Sequence, residues 1–169
     1  MAQLTEHNAH KKISDMGMPD LPLMLVKPVA TKLSPDWFNK YKTLCKQFMS
    51  SLSDNVDTLA MMNLSQEEFM NILMGRAIPQ NISFRFRIPL QWGGELDTDN
   101  IFMCKTFPHS FNMDMFIISQ SGNDQIWLPN PKKKIYLPAH TATGGTGGNA
   151  TEDRITETIA SQIVSDRDF

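Results

Sequence analysis

The segment Ile82-Ser83-Phe84-Arg85-Phe86-Arg87-Ile88 constrains the fold of this chain more than any other. Apolar and polar residues alternate through it. A period of two puts Ile82, Phe84, Phe86 and Ile88 on one side of a strand, and Ser83, Arg85 and Arg87 on the other. Such a strand is half-buried, with a core under its apolar face and, on the simplest expectation, solvent over the arginines. The residues after Ile88 set its partner. Gly93-Gly94 supplies a turn, Ile101 to Lys105 a returning strand, and Pro108 suits the first turn of a helix running to about Gln120 and stopped by Gly122. The middle of the chain therefore reads strand, turn, strand, helix.

Helices precede this unit. Ser34, Pro35 and Asp36 form a helix start, after which Trp37, Phe38, Tyr41, Leu44, Cys45, Phe48 and Leu52 recur at helical spacing. A short helical turn is expected over Asp54 to Met62. Ser65 with Glu68 has the spacing of a capping box for a further helix that closes before Gly75. Pro22 and Pro28 break the apolar stretch from Leu21 to Ala30, which suits an extended segment lying on the core. Downstream, Ile126-Trp127-Leu128 and Lys134-Ile135-Tyr136-Leu137 suit two short strands. The expected fold class is α+β: N-terminal helices packed on a small antiparallel hairpin-and-helix unit, with flexible tails. The expected boundaries are a flexible arm over residues 1–18, one domain over 19–140, a Gly/Thr-rich linker over 141–150, and an amphipathic C-terminal helix over 151–169 striped by Ile155, Ile159 and Ile163.

Charge narrows the functional classes. A net charge of -2 and a pI near 6.1 argue against binding nucleic acid by bulk charge. The small excess is uneven, with 12 Lys/Arg against 10 Asp/Glu from Leu23 to Pro138 and 2 against 5 from Ala139 to Phe169. Cys45 and Cys104 share no metal spacing and suit buried thiols in a reducing, cytoplasmic setting. Twelve Met and ten Phe make an adaptable core. No apolar run approaches the length of a membrane span, and the first twenty residues lack the apolar centre of a signal peptide. The glycines at 144–148 lack the Gly-Lys-Ser/Thr of a phosphate-binding loop.

Pro89 with Leu90, Gly93-Gly94, Asp99-Asn100-Ile101 and His109 after Pro108 fall in the order of parts of a ββα-metal nuclease site, and this stretch resembles the colicin-type DNases of the HNH group. The likeness covers about Ser83 to Met113. It departs where that pattern carries its other histidines: the leading pair falls on Arg85 and Phe86, and the second helical histidine on Met113. A second likeness, Gly122-Asn123-Asp124-Gln125-Ile126-Trp127-Leu128-Pro129 with His140 downstream, is similar to HNH-type bacterial toxin domains.

The resemblance implies one divalent metal ion (Mg, Mn or Zn) and metal-assisted phosphodiester hydrolysis by a toxin-like or mobile-element nuclease. His109 would be base or metal ligand, His140 a second ligand, Arg85 and Arg87 phosphate clamps, and Asn100 the orienting residue. Each has a plainer reading beside it: exposed strand arginines, a satisfied polar histidine, and an asparagine set by turn chemistry. Cys104 with His109 is a further, weaker nucleophile pair. The rival reading is a non-catalytic interaction or assembly module, a phage or secretion-system component, reaching a protein partner through its C-terminal helix.

Overall fold

The alternation from Ile82 produces the expected strand. In the structure, a computed structural model that describes residues 3–138, β2 (Ile82–Phe86) pairs antiparallel with β3 (Ile101–Lys105), Ile82 opposite Lys105 and Phe86 opposite Ile101. Before the hairpin come α1 (Glu6–Asp15), β1 (Leu23–Val26), α2 (Trp37–Ser51), α3 (Val56–Ala60) and α4 (Gln66–Leu73). After it come α5 (Phe111–Ile118) and β4 (Ile126–Pro129). The class is α+β, with β4 returning to pair antiparallel with β1 in a second small sheet. The two downstream strands expected from the sequence do not meet each other. Ile126–Pro129 joins β1, while Lys134 to Tyr136 runs parallel to β3, where Met103 N donates to the Lys134 carbonyl and Tyr136 N to that of Met103, both at 2.8 Å.

The hairpin lies between two cores. Ile82, Phe84, Phe86, Ile101 and Met103 pack against Leu44, Cys45, Phe48 and Met49 of α2 and Ile72 of α4. Phe48 meets Phe84 edge-on with ring centres 5.1 Å apart, and Tyr41 packs on Phe86. The opposite face carries Phe102 and Cys104 into a second cluster with Ala9 and Ile13 of α1 and Met113 and Phe116 of α5. The arginine-bearing face is thus covered, which corrects the expectation of a solvent-facing side. The physical reason is α5, whose sequence Phe-Asn-Met-Asp-Met-Phe-Ile-Ile is strongly apolar and buries Met113, Asp114 and Phe116 against this face.

Residues 1–18 are the second correction. In place of a flexible arm, Thr5 caps α1 through a hydrogen bond accepted from Asn8 N, and Ala9, Ile13 and Met18 are fully buried. Three tethers hold this region down: the Trp127 indole donates to Leu4 O, Asn112 to Met16 O, and the Tyr136 hydroxyl to Asp20. Residues 139–169, including the expected linker and C-terminal helix, lie outside the described residues.

The capping box at Ser65 and Glu68 is present as expected. α2 begins two residues later than its Pro-containing start suggested, at Trp37, with Ser34 donating to the Asp36 carboxylate instead of capping the helix. Gln120, fully buried, pins β4 to the end of α5: its amide donates to Trp127 O at 2.9 Å and accepts from Trp127 N at 2.8 Å.

The β2–β3 connection is longer than a glycine turn. Residues 87–100 form a loop with 3₁₀ turns at Leu90–Trp92 and Thr98–Asn100. Gly93 adopts φ +92°, and Gly94 lies so close to the Ile88 backbone that a Cβ there would collide with the Ile88 carbonyl. Gly94→Ala should therefore lower unfolding stability by about 3 kcal/mol. Gly122→Ala, which meets only a positive φ and open space, should cost about 1 kcal/mol. Paired denaturant titrations test this, and equal losses would contradict the close approach at Gly94.

Candidate functional site

β2 register places Arg85 opposite Phe102, and α5 closes over it. Its Nη1 donates to Asp114 Oδ1 at 2.6 Å, to Ser110 Oγ at 2.9 Å and to Ser110 O at 3.4 Å. The side chains are 13% and 2% exposed, so this is an ion pair inside the protein. Removing both charges from water is costly, and their attraction plus the serine bonds offsets that cost only while both partners stay. The contact is single-point. Arg85 Nε and Asp114 Oδ2 have no hydrogen-bond partner among the described residues. Cys104 lies in the same layer, where burial pushes its thiol up to about 12, Asp114 adding to the rise and Arg85 opposing it. A thiol so held favours its protonated form at neutral pH.

Arg87 and Asn100 serve the loop. Arg87 donates to the carbonyls of Asp99 (3.0 Å), Lys133 (3.1 Å) and Pro131, and its guanidinium lies 5.4 Å from the Phe102 ring centre. It ties the segment after β4 to the hairpin. Asn100 accepts from Ile88 N at 3.0 Å and donates to Ile88 O and Glu95 O at 2.9 and 3.0 Å. Both of its amide protons and its carbonyl are thereby engaged in closing the loop.

His109 follows β3 in a kinked turn over Thr106–Ser110 and is 4% exposed. Its ring meets Tyr136 edge-on, 5.8 Å between centres, and Nδ1 has no hydrogen-bond partner among the described residues. Burial pushes its pKa down to about 4; Lys105 lowers it further and Asp20 opposes. The imidazole is therefore neutral at pH 7. His140 lies outside the described residues, so its pairing with His109 is not part of the described geometry. Of the three other positions where the resemblance expects histidines, one is Arg85 and two hold core residues, Phe86 against α2 and α4 and Met113 on the inner side of α5.

The structure thus joins Arg85 to the start of α5 but sends Arg87 and Asn100 to the far end of the hairpin, as loop clamps. The polar residues that complete these contacts, Ser110, Asp114, Tyr136 and Asp20, were not anticipated. One signal existed for Asp114: a lone carboxylate in an otherwise apolar helix requires a buried cation or donor. Nothing in the sequence pointed to Asp20 and Tyr136, which are 116 positions apart.

These charges predict two outcomes. Asp114→Ala should destabilise the protein by about 3 kcal/mol, because it leaves a guanidinium buried without its partner. Arg85→Met with Asp114→Leu should recover most of that loss, and a double variant no better than the single would contradict the ion-pair account. The second outcome concerns His109. Its folded pKa of about 4 lies below the ordinary 6.5 of the unfolded chain, so the unfolded state takes the proton first. The stabilisation is complete above about pH 6.5 and lost as pH falls toward 4. Between those values the native protein should lose about 2–3 kcal/mol more than His109→Phe, measured by urea unfolding.

Compared with known proteins, the chain matches no protein-family model, no curated protein and no solved structure.

Proposed function

We propose that this chain is a non-catalytic interaction or assembly module, of the kind found in phage particles or secretion systems, built on a nuclease-like ββα scaffold. One observation carries the reading: the side chains that nuclease chemistry would need facing a substrate are committed internally. Arg85 is spent on Asp114 and Ser110, Arg87 on backbone carbonyls, Asn100 on the loop it closes, and His109 is buried against Tyr136. A phosphate clamp requires guanidinium protons free to bond a substrate, and Nη1 of Arg85 and all three nitrogens of Arg87 already donate to the protein.

The surroundings of Asp114 also weigh against the divalent ion that the HNH resemblance implies. Between hairpin and helix, the Asp114 carboxylate is held by a guanidinium, and a second cation beside it would be repelled. Ligation of a divalent ion by His109 and His140, with metal-assisted cleavage of DNA or RNA, is the competing proposal.

A protein partner agrees better with the near-neutral charge than nucleic acid does. No described helix is long and apolar enough to cross a membrane. A reducing, cytoplasmic setting belongs to the same proposal and accords with two free, buried cysteines.

Plasmid and RNA nicking with Mg²⁺, Mn²⁺ or Zn²⁺, comparing the native chain with His109→Ala, tests the reading. The expected result is no metal-dependent cleavage by either protein and no metal-induced rise in melting temperature. Cleavage by the native chain that His109→Ala abolishes would overturn the proposal in favour of a metal-dependent nuclease.

A further inference from the structure

α4 turns an apolar face to solvent. Met74 N bonds to Met70 O at 2.9 Å, so the two side chains sit one helical turn apart on the same side. They are 42% and 53% exposed, and Ile78 comes next beyond the Gly75 turn, also exposed. Methionine is the side chain best able to mould itself to an apolar partner. Three observations indicate what covers this face.

The first is where the described chain leaves off. Leu137 packs against the cluster built by α2 and α4. Lys134 donates to Ser51 O at the end of α2, and a Cβ placed on Gly75 would lie 3.5 Å from Ser50 Oγ and Lys46 O of the same helix. The end of α2 therefore touches both the departing segment and the turn beyond Met74. The second is reach. Sixteen residues, 139–154, can span at most roughly 50–55 Å, ample for the isoleucine stripe beyond them to reach α4 from the end of the described chain. The third is complementarity. Ile155, Ile159 and Ile163 recur every four residues, the spacing of Met70 and Met74, in a stretch (139–169) with 2 basic and 5 acidic residues. At the Gly75 end of this face stand exposed Lys46 and Arg76.

We propose that residues 151–169 dock by their isoleucine stripe on the methionine face of α4 in the same molecule, an intramolecular strap that a partner helix of like pattern would have to displace. This holds whether or not the chain cleaves nucleic acid.

Amide hydrogen exchange on the full chain, at two protein concentrations tenfold apart, tests it. Amides from Ile155 to Ile163 should exchange at least tenfold more slowly than free-chain rates, equally at both concentrations. That protection should vanish in Met70→Glu/Met74→Glu and in Ile159→Glu, with β2 and β3 amides still protected; if the double variant loses the β2 and β3 signal, Ile159→Glu decides. Free-chain exchange in the native protein, or protection that survives these substitutions, would overturn the proposal. Protection that rises with concentration would also overturn it, giving the α4 face to a neighbouring copy.

Discussion

A guanidinium enclosed by protein must meet a negative charge, and the Arg85–Asp114 contact is where the two halves of this molecule are obliged to fit. Arg85 is fixed by the register of β2 on β3, and Asp114 by the phase of α5. Together they set the height and rotation of the helix over the sheet. An α5 rotated by one residue would carry the carboxylate away from Arg85 and leave the guanidinium without its partner. Apolar contacts alone would tolerate several such placements, because a helix so strongly apolar has little preference of side. The ion pair selects among them.

The same hairpin organises the rest. One face anchors α2 and α4 through Phe84 and Phe86, the other anchors α1 and α5 through Phe102 and Cys104, and the outer edge of β3 receives Lys134 to Tyr136. At the distal end, Asn100 closes the connecting loop while Arg87 holds the chain after β4 against it. Residues that would be catalytic in a nuclease thus sit at the joints between elements. This is the physical content of the proposed loss of catalysis: side chains facing substrate in one setting become internal ties in another.

Local features were legible to the degree that local physics decides them. The Ser65–Glu68 capping box, the period-two strand, the extended Leu23–Val26 segment and the Ile101–Lys105 return all depend on short-range hydrogen bonding or on the apolar pattern of a few neighbouring residues. α1 was missed because its inward side rests on little more than Ala9 and Ile13, too sparse a stripe to stand out until Trp127 and α5 supply the surface it covers. What covers Arg85 is hidden from the sequence for a related reason. Alternation states which residues share a face, never what lies over it.

The sequence by itself determined the ββα order, the helices before it, and the absence of the paired histidines that the nuclease pattern carries, since identity and periodicity along the chain settle such things. Tertiary structure alone decided that the arginine face is covered, that His109 is neutral and buried beside Tyr136, and that Arg87 and Asn100 serve the loop. Each of those depends on groups brought together from far along the chain, and the free energy of a charge or an imidazole is set by what surrounds it in space.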